Sequence, residues 1–143
     1  VAQAYGVKDW QGRGTELLEL FELDDKANKL GRDLSKGMRQ NVSICCALLP
    51  DPQLLFFDEP MIGLDPKAIK NTKQVFKNLK ESGKTILVST HLIDSVETIA
   101  DRIMILKDGK IIGKDTIANL KQQAAQSEIS SLEDLFLEMT KDA

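Results

Sequence analysis

The sequence predicts an α/β protein with a parallel sheet covered by helices. Three observations carry this. Leu54-Leu55-Phe56-Phe57 is a continuous apolar run of strand length, and Ile86-Leu87-Val88 within Thr85–Ser89 is a second. Runs without polar alternation mark strands buried on both faces, as in parallel sheets. Between them, Lys67–Glu81 has helical spacing with Ile69, Phe76 and Leu79 inward, and strand–helix–strand–helix alternation is the pattern of an α/β sheet.

The other elements follow in chain order. Thr15–Leu23 reads as a helix with a broad apolar face, ended by Asp24-Asp25. Lys26–Leu34 is polar and has no clear period. Ser35 is a good N-cap for a helix running to Leu49, with Val42, Cys45, Leu48 and Leu49 as its inward stripe, and Pro50-Asp51-Pro52 stops it. Gln53–Asp58 is the first strand. Gly83 suits the C-terminal end of the helix that follows. Leu92–Ala100 reads as a short helix. Asp108-Gly109 between Arg102–Lys107 and Lys110–Gly113 predicts a hairpin, because its tight turn needs positive φ at both central residues. Ile117–Gln126 is a weaker helix, Lys121–Ser130 is the best linker candidate, and Leu132–Met139 is a C-terminal helix with Leu132, Leu135, Phe136 and Met139 on one side.

Composition narrows the function. The 143 residues are one domain's length, 42% hydrophobic and 29% charged, which fits a globular chain. A net charge of −3 offers no basic excess to neutralise phosphodiesters, which argues against nucleic acid as main partner. The longest uncharged stretch, Gln40–Pro50, is eleven residues, about half of what a membrane-spanning helix needs. No signal peptide is visible at Val1–Gly6. Cys45 and Cys46 are adjacent, there is one histidine, and no zinc-ligand spacing exists, so both cysteines read as small, reduced, partly buried residues.

The sharpest chemical feature is Asp58-Glu59 at the carboxyl end of an apolar strand, where open α/β sheets gather their ligands. An aspartate there suits Mg²⁺, and the next glutamate suits activation of a water. The same two residues, taken alone, are equally a strand ending in solvated acids. Leu34-Ser35-Lys36-Gly37-Met38 places a hydroxyl and free N–H groups at a helix start, an anion site by geometry and dipole, or simply a serine-capped helix. Gly63-Leu64-Asp65-Pro66 reads as a turn into a helix. Ser89-Thr90-His91 ends the second strand, where the histidine could touch a phosphate or be an ordinary surface residue.

Taken in order, LSKGM, LLFFDEP, GLDP and STH resemble the signature motif, Walker B strand, D-loop and switch histidine of the ATP-binding domain of ABC transporters, and Asp108–Ile112 resembles that family's late hairpin. The form LSKGMRQ and the Ser131–Phe136 segment are similar to bacterial ABC-2-type export ATPases. The resemblance implies a P-loop NTPase-like ABC ATPase core, here with an incomplete parallel sheet, beside an α-helical subdomain. It implies that Asp58 binds Mg²⁺ through water, that Glu59 is the general base, that His91 contacts the γ-phosphate, and that Asp65 acts across a dimer interface. Ser35 and Gly37 would bind the γ-phosphate of ATP held by the opposite subunit. The sequence departs from the usual signature at Lys36, where glycine is usual, and at Met38, where glutamine is usual and whose hydrogen bonds methionine cannot make.

The phosphate loop G-x-x-x-x-G-K-[ST] is missing. Gly83-Lys84-Thr85 does not supply it, because position 78 is Asn78 and the segment enters a strand instead of opening a helix. The resemblance places the true loop and the Q-loop upstream of Val1, so this chain alone is not expected to hydrolyse ATP. It divides the chain into a helical subdomain (1–52), the later part of the catalytic core (53–115) and a C-terminal helical tail (116–143). Without the phosphate-loop strand, Thr85–Ser89 would lose a neighbour and invite pairing with another chain. The expected function is ATP hydrolysis that energises solute export, with a second ATP-binding subunit and transmembrane permease subunits as partners. The expected location is cytoplasmic, peripheral on the inner face of the membrane. Two other readings stand beside it: a non-catalytic module that offers a signature surface, and a soluble ABC ATPase with a non-transport task.

Overall fold

The computed structural model describes residues 1–126 and 131–141. They form two compact units, Val1–His91 and Leu92–Ala143.

The first unit opens with α1 (Trp10–Leu20). It starts earlier than Thr15 because the Asp9 side chain accepts a hydrogen bond from the Gly12 N–H and caps a turn that contains two glycines. It stops at Leu20, short of the expected Leu23. Glu22 takes φ +55, Glu22 N–H bonds to Glu19 O, and Leu23 N–H bonds to Leu18 O. This left-handed cap satisfies the last carbonyls and folds Phe21 and Leu23 back into the core. The ambiguous stretch that follows contains two short 3₁₀ turns, Asp24–Lys26 and Gly31–Asp33.

Helix α2 (Lys36–Leu48) is capped by Ser35, whose hydroxyl accepts from the Met38 N–H at 3.1 Å. Its buried side chains are Asn41, Ile44, Cys45 and Leu48. Val42 and Leu49 are only half-buried, so the inward stripe is turned from the expected one and carries a polar residue. At its C-terminus Arg13 donates to Leu48 O and Leu49 O and pairs with Asp51, joining α1 to the end of α2.

Strands β1 (Leu54–Asp58) and β2 (Thr85–Ser89) pair in parallel, with Asp58 opposite Ser89. Helix α3 (Pro66–Glu81) connects them and ends in a left-handed Gly83 at φ +85. It buries Thr72, Val75 and Phe76, with Ile69 and Leu79 half-buried. Phe76 stacks on Phe57 at 4.8 Å between centroids. The expectation of two buried faces is not met. Leu55 and Phe57 are buried, whereas Leu54, Phe56 and Leu87 are exposed, Phe56 to 68%. Covering one face of a pleated strand hides only alternate residues. Among the described residues, β2 pairs with β1 alone in this sheet.

In the second unit, α4 (Ile93–Glu97) is shorter than expected. Strands β3 (Arg102–Lys107) and β4 (Lys110–Thr116) form the antiparallel hairpin, with Asp108 and Gly109 both at positive φ. The second strand runs three residues past Gly113. Helix α5 (Ile117–Gln126) matches the expected bounds, so the proposed linker is helical to Gln126, and its remainder at 127–130 lies outside the described residues. Helix α6 (Leu132–Lys141) packs Leu132 and Leu135 with Leu120, flanked by Ile93, Ile103, Ile117 and Met139.

Candidate nucleotide site

The parallel register sets the first group of site residues. Asp58 and Ser89 end adjacent strands side by side, and the Ser89 hydroxyl donates to an Asp58 carboxylate oxygen. One step further, Glu59 N–H donates to Ser89 O at 2.9 Å. Glu59 takes φ +46, an uncommon conformation for a residue with a side chain and one that collects at functional sites. Its carboxylate is held on both oxygens. The Thr90 hydroxyl donates to Oε2 at 2.8 Å. The His91 N–H donates to Oε1 at 3.1 Å, and His91 Nδ1 lies 2.6 Å from the same oxygen. Burial by itself would raise the Glu59 carboxyl. The His91 ring, the Thr90 hydroxyl and the His91 N–H together outweigh it and hold the group below its ordinary value.

Asp58, Glu59 and His91 are therefore brought together at the carboxyl ends of β1 and β2. Asp58 and Glu59 supply hard carboxylate oxygens, the ligand type that Mg²⁺ takes, and the Ser89 and Thr90 hydroxyls hydrogen-bond to them. Ser89 and Thr90 belong to the same group, and the hydroxyls flanking His91 in the sequence were the signal for them.

Ser35, Gly37 and Asp65 form a second group at the starts of α2 and α3. All three line one cleft of about 190 Å³, together with Glu22, Met38, Asn41, Lys67 and Asn71. Asp65 caps α3 by accepting from the Ala68 N–H at 2.9 Å, and Pro66 fills the first helical position. Across the cleft Lys67 pairs with Glu22 at 2.5 Å, a contact that raises the lysine. Asn41, buried in the cleft wall, has its Oδ1 without a hydrogen-bond partner. Sequence reasoning missed Asn41, because a polar residue within a helix reads as surface.

The rejected Gly83-Lys84-Thr85 segment has a structural task. Lys84 Nζ lies 2.7 Å from Asp51 and donates to Pro52 O at 2.9 Å. The lysine, first among the causes, and Arg13 hold the Asp51 carboxyl below its usual range.

A family profile described as "AAA domain, putative AbiEii toxin, Type IV TA system" matches residues 10–96. The chain is 35% identical over 143 residues to the ABC-type transporter ATP-binding protein EcsA of Bacillus subtilis (strain 168), covering 99% of the chain and 58% of EcsA. It is 34% identical over 119 residues to the daunorubicin/doxorubicin resistance ATP-binding protein DrrA of Streptomyces peucetius, covering 83% of the chain and 36% of DrrA. It is 42% identical over 98 residues to the Nod factor export ATP-binding protein I of Rhizobium leguminosarum bv. viciae, covering 68% of the chain and 32% of that protein. The chain thus spans less than two thirds of these relatives. A solved ATP-binding subunit of an ABC transporter superposes with a TM-score of 0.85 at 36% identity, over 98% of this chain and 59% of that one. The ADP conformation of MJ1267, an ATP-binding cassette of an ABC transporter, gives 0.70 at 25% identity, over 85% of this chain and 49% of that one. The chain belongs to this AAA-domain family and forms part of an ATP-binding domain of the ABC-transporter kind.

Proposed function

We propose that the protein containing this chain hydrolyses ATP as a dimer and energises export through transmembrane permease subunits. The observation that carries the reading is the constellation at the strand ends: Asp58 and Glu59 at and just past the end of β1, with Ser89, Thr90 and His91 at and just past the end of β2. A relative named for Nod factor export supports the direction of transport.

In this reading Asp58 would hold Mg²⁺, which when bound supplies positive charge against the phosphates. Glu59 is the base that takes a proton from the attacking water. It is held for that task by Thr90 on one oxygen and His91 on the other. His91 holds Glu59 through Nδ1, and Nε2 is the ring nitrogen that would contact a γ-phosphate. Ser35 and Gly37 present the start of α2 to the nucleotide of the opposite subunit, and Asp65 acts across the same interface. Residues 1–52 serve as the helical subdomain, 53–115 as the later catalytic core and 116–143 as the tail. No described helix is long and apolar enough to cross a membrane. In this reading the protein works as a peripheral subunit on the cytoplasmic face of its permease, as the family resemblance implies.

The test is Glu59→Gln in the full-length protein. Turnover is expected to fall by about a hundredfold or more while MgATP binding is kept. Unchanged turnover would refute Glu59 as the base. Titrating MgATP into the 143-residue chain, with Asp58→Ala as control, reads the division of labour. Binding by the chain that is lost in Asp58→Ala would show that it builds a phosphate site without a Gly-rich loop.

A further inference from the structure

Lys36 stands where the resembled signature has glycine, and its side chain lies on the GLDP turn. A β-carbon on Gly63 would come within 3.0 Å of Lys36 Nζ, 3.1 Å of Cε and 3.3 Å of Cδ. The reverse contact exists as well. A β-carbon on Gly37 would lie 3.2 Å from Leu64 Cδ2. Each motif therefore lays one side chain on the glycine of the other. Gly63 has φ +72, so it serves the turn and the contact together. Next to this interlock stand the two capping residues, Ser35 at the start of α2 and Asp65 at the start of α3.

We propose that Lys36 is a positioning residue that clamps the Gly63–Leu64–Asp65 turn to the first turn of α2 through its methylene stem, so that Ser35 and Asp65 respond to nucleotide as one body. Glycine at this position has no side chain to make the contact. The coupling to nucleotide rests on the function proposed above, whereas the clamp itself is a property of this fold.

The experiment compares Lys36→Ala with Lys36→Met in the full-length protein. Alanine removes the stem without loosening the helix start, and methionine keeps a stem of similar length without the charge. Amide hydrogen exchange at Leu64, whose N–H bonds to Met61 O within this turn, is expected to rise about tenfold in Lys36→Ala and to stay near wild type in Lys36→Met. ATP turnover is expected to follow the same order, with kcat lowered in the alanine variant and restored by methionine at an unchanged thermal midpoint. Exchange unaffected by alanine would overturn the clamp. Exchange equally fast in both variants would overturn the role of the stem. Exchange that changes as expected while turnover does not would overturn the coupling to nucleotide. A wild-type protein that hydrolyses no ATP would refute the function proposed above, and the exchange comparison would still decide the clamp.

Discussion

His91 Nδ1 lies 2.6 Å from Glu59 Oε1, and the Thr90 hydroxyl holds the other carboxylate oxygen. Two consecutive residues just past β2 therefore grip the residue just past β1, and parallel register is what makes this possible. The grip favours the ionised glutamate. A depressed folded-state pKa contributes stability above the unfolded value, about 4.3, and that contribution is lost as pH falls through the lower folded value. The thermal midpoint of wild type should therefore exceed that of Glu59→Gln near neutrality, and the gap should close on acidification below pH 4. A gap that is constant with pH would show that Glu59 is not held as an anion.

Sheet burial predicts a contrast between two phenylalanines. Phe76 is 3% exposed and stacked on Phe57. Its replacement by alanine should cost about 3–5 kcal/mol in denaturant unfolding, from lost transfer energy plus a cavity. Phe56 is on the open face of the same strand as Phe57, and Phe56→Ala should change stability by no more than about 0.5 kcal/mol in this chain.

Arg13 is expected to matter for the end of α2. It donates to two carbonyls at the helix terminus, Leu49 O and Leu48 O, the second of which also accepts from the Asp51 N–H. Its pairing with Asp51 is at the surface and adds little. Arg13→Ala should destabilise the chain by about 1–2 kcal/mol, and faster amide exchange in the last turn of α2 should accompany the loss.

The adjacent cysteines should behave as opposites. Burial, with Cys46 as a lesser cause, pushes the Cys45 thiol up to about 12, and its S–H points to Leu17 O. Cys46 is exposed. At pH 8 the Cys45 thiolate fraction is about one in ten thousand, and the thiolate is the reactive form. Iodoacetamide should label one cysteine per folded chain, Cys46, and the second only after denaturation. Peptide mass mapping reads this directly.

Much of the architecture was legible because local rules and tertiary structure agree. Ser35 and Asp65 cap their helices as their residue types predict, Gly83 ends α3, and Asp108-Gly109 turns the hairpin. The misread boundaries have local causes that periodicity does not carry. Asp9 starts α1 ahead of its glycines, and Glu22 ends it by taking a conformation usually left to glycine. The stripe of α2 was misplaced because Asn41 points inward, and hydropathy places an asparagine outside.

The sequence by itself determined that the chain alternates strands and helices, that acids end the first strand, and that four motifs stand in the order of an ABC ATPase. The first two follow from apolar run length and turn chemistry, written locally, and the third is a family resemblance carried by the residues of the motifs themselves. Only the tertiary structure decided that Thr90 and His91 share the Glu59 carboxylate, that Lys36 and Leu64 cross onto each other's glycines, and that one face of the β1–β2 sheet is open. Each of these joins residues far apart in the chain. Such contacts depend on strand register and on which helix covers which face, and no single segment specifies either.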